Sequence, residues 1–207
     1  MKKLLLGAVI GALIAAIGLY VYQRTGSSAA PAGPVDTAGS SLTAASKGKT
    51  DAGAALRTSK MAGTILTVKN GESIQAAVSK AKPGDTIQVM PGLYKETVYI
   101  DKDNIAIIGV IDKGNWPVMD GERKLNDAIL YSGSGIRIEN MKIVHYKGNA
   151  IMGQAGNNFV IRYNWIVDTG VYGIFPQFGK NGLVEYNVIS GIEDAAIYIG
   201  MCDNIQV

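Results

Sequence analysis

The chain has 207 residues, of which 47% are hydrophobic and 18% charged; 26 glycines beside three phenylalanines and two tryptophans suit a turn-rich β architecture and argue against a helical bundle. Its formal charge of +3 is unevenly placed: residues up to Gly63 hold seven Lys/Arg against two Asp, and the remainder holds 13 against 15 Asp/Glu. The larger part is thus slightly acidic and has no basic stripe for phosphates, which excludes nucleic acid as the expected partner, while a lone Cys202 excludes an intramolecular disulfide.

Lys2 and Lys3 precede an uncharged run of 19 residues, Leu4 to Tyr22. As a helix it would span roughly 28 Å at about 1.5 Å per residue, close to a bilayer core. Tyr20 and Tyr22 suit the outer interface and the two lysines the cytoplasmic side. Residues 1–22 are therefore expected to form a single-pass anchor, or a signal peptide cleaved near Ser27-Ser28-Ala29; either puts the rest outside the cytoplasm. Residues 23–62, mostly Ala, Gly, Ser, Thr and Pro, cannot bury a core and are expected to form a disordered tether. The folded domain is expected over 63–207.

Thr64 to Val68 predicts an opening strand. Ser73 to Ala81 places Ile74, Ala77, Val78 and Ala81 on one face of a short helix, stopped by Pro83-Gly84-Asp85. Such a helix would cap the end of a core left open. Thr86 to Met90 predicts a strand, Pro91 to Tyr94 a turn, Glu96 to Ile100 another strand, and Asn104 to Gly109 the next coil. Lys113 to Asp127, with Trp116-Pro117 and Asp120-Gly121, predicts a protruding loop, and strands resume at Ala128 to Tyr131.

From Gly135 onward the chain repeats every 23 residues. Ile138, Ile161, Val184 and Val207 form one column, Ile143, Ile166 and Ile189 a second, and Ile151, Ile174 and Ile197 a third. A period of this size, with three short half-buried segments and no room for a helix, is that of a parallel β-helix. Equivalent residues would lie about 4.8 Å apart along its axis. The outward column Glu139, Arg162, Glu185 then alternates in charge, and Asn158, Asn181 and Asn204 would stack at a corner that asks for left-handed backbone. Cys202, in column with Gly156 and Gly179, is expected to be a buried, inert thiol. Val207 falls in the opening strand of another coil, so the sequence is expected to be a fragment or to have its end covered by a partner.

Glu72 to Ala77, Lys82 to Ile87 and Pro91 to Tyr94 resemble the N-terminal cap of pectin-lyase-like right-handed β-helix proteins. Gly170 to Pro176 and Asp194 to Gly200 resemble a family of exported parallel β-helix repeat proteins whose biochemical role is unassigned. The resemblance covers about Thr64 to Val207 and implies a right-handed all-β solenoid with a short capping helix. It names a scaffold and no reaction.

Four chemistries are weighed on that scaffold. Tyr172 to Gln177 is similar to the signature of mannuronan C5-epimerases at Tyr172, Gly173 and Pro176. Phe175 and Gln177 occupy the positions of that family's catalytic Asp and His, so the acid–base pair is missing. A metal-assisted polysaccharide lyase would want calcium, for which Asp168, Glu193 and Asp194 are the acidic residues closest in coil register. No other cofactor is evident. A glycoside hydrolase needs two carboxylates, and Glu193 would lie roughly 8 Å from Asp168, inside the inverting range. The only histidine, His145, stacks under Asp168, whose charge would favour imidazolium.

The candidate catalytic residues are thus His145, Asp168, Glu193 and Asp194. A rising outward column, Met152, Phe175 and Tyr198, with Tyr172 and Gln177 beside it, is the candidate sugar-binding face. The expected partner is a polysaccharide or cell-envelope glycan, either bound or modified. The alternative is a non-catalytic scaffold at the cell envelope, because nothing clusters His, Cys or Met at ligand spacing.

Overall fold

The computed structural model describes residues 53–207; the expected anchor at 1–22, and the tether up to residue 52, lie outside the described residues. In chain order the strands are β1 (Ile65–Val68), β2 (Thr86–Val89), β3 (Gly92–Tyr94), β4 (Val98–Ile100), β5 (Ala106–Gly109), β6 (Pro117–Asp120), β7 (Ile129–Tyr131) and β8 (Arg137–Glu139). They continue with β9 (Lys142–Val144), β10 (Ile151–Gly153), β11 (Val160–Arg162), β12 (Trp165–Thr169), β13 (Tyr172–Pro176), β14 (Leu183–Glu185), β15 (Val188–Ile192) and β16 (Ala195–Ile197). Helix α1 (Ile74–Lys80) lies between β1 and β2.

Every third strand joins the same sheet. The first sheet runs β1-β2-β5-β8-β11-β14, the second β3-β6-β9-β12-β15 and the third β4-β7-β10-β13-β16. All neighbours are parallel, so the chain winds as a solenoid whose coils are β2–β4, β5–β7, β8–β10, β11–β13 and β14–β16.

The register is the one the repeat predicts. Ile161 pairs with Ile138 below and Val184 above, Ile166 with Ile143 and Ile189, and Ile174 with Ile151 and Ile197. Ile138, Ile161, Ile143, Ile166, Ile151 and Ile174 are fully buried, so each column lines the core common to all three sheets. At about 25 cal/mol per Å² of apolar area, this burial is the main term opposing chain entropy. The register continues past β16, where Lys180 pairs with Asp203 and Leu183 with Gln206.

Two stretches differ from the sequence reading. Gly92 to Tyr94 is a strand and not a turn, because it pairs with Pro117 to Met119 and opens the second sheet. Pro117 to Asp120 is likewise a strand inside the expected loop, which leaves residues 112–115 and 121–127 to protrude. Proline is tolerated at the first position of β6, where no ladder donor is needed.

The corners carry two asparagine ladders. Asn158, Asn181 and Asn204 have φ of 58°, 55° and 55°, and Asn204 Nδ2 donates to Asn181 Oδ1 at 2.8 Å. The second ladder faces inward, with Asn164 buried and Asn187 half-buried. Asn164 Nδ2 donates to Ile138 O and Asn187 Oδ1, its Oδ1 accepts from Met141 N–H, and Asn187 Nδ2 donates to Ile161 O. These amides satisfy backbone groups that a turn between sheets leaves unpaired.

Helix α1 closes the bottom of the core with Ile74 and Val78. Ser73 caps it, with Oγ accepting from Ala76 N–H at 3.1 Å, and the Glu96 carboxylate accepts from the N–H groups of Ile74 and Gln75. A carboxylate is favoured at the positive end of a helix.

Composition assigned residues 53–62 to a disordered tether, but residues 53–58 are helical and the segment is held against the first sheet. Arg57 Nε lies 2.8 Å from Glu185 Oε2, and Arg137 donates to Leu56 O and Ser59 Oγ at 3.0 and 2.8 Å. Beneath this strap the charge ladder forms as read: Arg162 lies 3.1 Å from Glu139 and 3.6 Å from Glu185, and Arg137 also pairs with Glu139 at 2.7 Å. The strap buries part of that ladder, so the ion pairs are screened less than open surface pairs.

Candidate functional site

The residues singled out for chemistry fall into two neighbouring groups. The first lies at the corner between the second and third sheets. His145 and Asp168 stack there in left-handed backbone, φ 57° and 61°, with Gly191 above at 66°. Only short-range hydrogen bonding or glycine makes such a column comfortable.

His145 Nδ1 is 3.0 Å from Asp120 Oδ1, and its Nε2 faces Asp168 Oδ2 at 3.9 Å. Asp120 Oδ1 also accepts from Glu122 N–H at 2.8 Å, which fixes the carboxylate. An acceptor on Nδ1 directs the proton there and leaves Nε2 free to take another. Arg123 pairs with Asp168, and its own N–H donates to His145 O at 2.8 Å.

Arg123, Tyr146, Lys147, Asp168, Gly170 and Glu193 enclose a shallow cavity of about 130 Å³. The Tyr146 phenol is held above its ordinary value, first by burial and then by Glu96 and Asp120, and it donates to Glu96 O at 2.7 Å. His145 and Asp168 come together as read, and Glu193 shares the cavity with Asp168. Among the described residues no three of His, Cys, Asp and Glu are grouped to hold a metal ion.

Asp194 belongs to the second group. Its carboxylate faces the Tyr172 hydroxyl, which is raised from its ordinary value by burial, then by the Asp194 carboxylate. Tyr172 and Tyr198 stack at 5.0 Å and 15°, and Phe175 sits against both at 4.7 and 5.1 Å. Phe175 pairs with Met152, Met152 with Leu130, and Leu130 with Tyr99. The column read as three residues therefore runs five rungs up the third sheet. Gln177 flanks it beside Phe175, both side chains standing close to Gly200.

Asp120 and Arg123 are the contributors that the repeat does not show. They come from the coil with the inserted residues, where the 23-residue spacing fails. Cys202 is half-buried, not fully buried, with Sγ 3.4 Å from Pro176 O, Gly200 O and Gly179 N. Among the described residues these are backbone contacts only.

A family model described as "Right handed beta helix region" matches residues 97–207. The chain belongs to this family. Membership covers the coils that hold both groups of residues. Neither the curated proteins nor the solved structures contain a match to the chain. As a right-handed β-helix protein it has a scaffold suited to presenting side chains in rows along one axis, a geometry that matches extended ligands.

Proposed function

We propose that this right-handed β-helix protein binds or modifies polysaccharide outside the cytoplasm, tethered to a membrane by its N-terminal apolar run. The supporting observation is the Asp120–His145–Asp168–Arg123 corner, which is joined to the aromatic third-sheet face through Thr169, Gly170 and Val171. A sugar chain along that face would have apolar contact from Phe175 and Tyr198, with polar contact from Gln177, Asp194 and the Tyr172 hydroxyl. If the bound chain turns over, the corner suits elimination from a uronate. His145 Nε2 takes the proton beside the sugar carboxylate, which Arg123 and Lys147 pair with; the C–H electron pair becomes a C=C bond, the C–O bond to the leaving sugar breaks, and its oxygen takes a proton from solvent. Hydrolysis between Asp168 and Glu193 is the other reaction this cavity could host.

Calorimetric titration of the chain with uronate and neutral oligosaccharides tests the reading. Tyr198→Ala should weaken binding about tenfold, the scale of one aromatic contact. His145→Ala should leave affinity nearly intact and lower any turnover at least about 100-fold. Unchanged affinity in Tyr198→Ala defeats the third-sheet site.

One observation favours the scaffold reading instead. Tyr172 and Tyr198 present their faces to each other, and such mutual stacking stabilises coils without any ligand. That reading expects no saturable binding, and a Tyr198→Ala protein that is less stable.

A further inference from the structure

The corner between the first and second sheets carries a second aromatic cluster. Three successive coils pass through left-handed backbone there, at Asn140, Tyr163 and Tyr186, φ 58°, 58° and 53°. Asn164 and Asn187 then turn inward as the asparagine ladder, while Tyr163 and Tyr186 project into solvent, 42% and 68% exposed. Their rings stack at 5.2 Å and 4°.

On β12, Trp165 faces outward above Lys142, whose Nζ lies 3.7 Å from the indole centroid. Trp116 follows the small turn closed by Asp112 and Asn115 and meets Trp165 edge-on at 5.9 Å and 73°. Between the indoles and the tyrosines lies a groove of about 540 Å³, completed by Ile111 and Val188. That volume is within the range of ligand sites, about 300–1,000 Å³.

The chemistry of the rim narrows the occupant. Among the described residues neither indole N–H nor either tyrosine hydroxyl has a hydrogen-bond partner, and Lys142 has no carboxylate partner. A protein partner would have to bring its own carboxylate to this spot and bury a charge pair, whereas sugar hydroxyls accept from the ammonium at an open rim. A lipid surface would be met by rings standing free on an amphipathic face with several basic residues beside them, whereas here the rings pack on one another beside a single lysine. Lys142 lies over the Trp165 ring, and Tyr163 lies between Tyr186 and Arg162. A sugar ring therefore meets Trp116, the outer face of Tyr186 and the apolar wall of Ile111 and Val188 through its C–H faces, and offers hydroxyls to the unpartnered indole and tyrosine donors.

We propose that this corner groove is a second glycan-binding site, which takes a pyranose chain independently of the third-sheet face. The proposal shares only the class of ligand with the preceding reading.

The two tryptophans of the chain, Trp116 and Trp165, both lie at this groove, so selectively excited tryptophan emission reports on it and not on the third-sheet face. The full chain is titrated with cello-oligosaccharides and with oligogalacturonates. The expected result is a saturable change in emission that persists in Tyr198→Ala and is weakened about tenfold in Tyr186→Ala. Tyr186 is exposed enough for that change to leave the fold intact. Lys142→Ala should lower affinity for oligogalacturonates more than for the neutral series. Calorimetric binding with silent tryptophans overturns the groove and leaves the third-sheet reading standing. A tryptophan response lost in Tyr198→Ala, or no response to either series, also overturns it. A response kept in Tyr198→Ala, with calorimetric affinity equally unchanged, supports the groove and defeats the third-sheet site.

Discussion

The coils from β8 to β16 and the coil from β5 to β7 obey different rules. In the former, partners in the first sheet are separated by 23 residues, as Ile138, Ile161 and Val184 are. In the latter, Ile107 pairs with Ile138, a longer step that accommodates the protruding residues 112–115 and 121–127. The regular coils supply both asparagine ladders and the upper rungs of the aromatic column, while every coil contributes to the core. The irregular one supplies Asp120, Arg123 and Trp116, which complete the corner cavity and the groove. Repetition builds the wall, and the departure from repetition reaches out over it.

The contrast can be broken most severely from the regular side. Ile161→Asp places an unpaired carboxylate in the closed core and should cost about 4 kcal/mol or more, read as loss of the cooperative thermal transition. Asn164→Ala should cost about 2–3 kcal/mol in urea unfolding, because Met141 N–H and Ile138 O lose their partner at a buried position. Asn181→Ala, at the exposed ladder, should cost no more than about 1 kcal/mol.

Below the regular coils, Asp85 ties the cap to β1 by accepting from Lys82 and Thr64 N–H, and these bonds hold its carboxyl below the ordinary value of 3.8. Its stabilisation is therefore complete above about that pH and disappears as the pH falls through the lowered value. Acid unfolding of Asp85→Asn should have a flatter limb in that window. The smallest effect is expected in the irregular coil. Two glycines inserted between Lys113 and Gly114 should shift stability by about 0.5 kcal/mol, since loop closure depends only weakly on length.

How much was legible follows the same division. Ile138, Ile161 and Val184 could be read as rungs because identical spacing and branched aliphatics coincide, and the alternating Glu139, Arg162, Glu185 fixed which side faces out. The inward asparagine ladder left a trace, the Tyr-Asn pairs at 163–164 and 186–187, but Met141 in the same column breaks the series. Arg123 and Asp120 left no trace, because an insertion erases the phase that would place them over His145. Gly92 to Tyr94 read as a turn since its partner strand lay inside that same insertion. The strap was hidden by composition: a stretch of mostly small residues does not announce that Arg57 and the carbonyl of Leu56 will meet charges two coils apart.

That strap has a mechanical consequence. Gly53 abuts Gln206 at the far end of the solenoid, although the chain enters its first strand at the opposite end. Tension arriving from upstream of Gly53 must therefore break the Arg57 and Arg137 attachments before it can tug on Ile65. Under any such pull, residues 53–60 would give way first, as a strain relief does, and the spool behind them would stay wound.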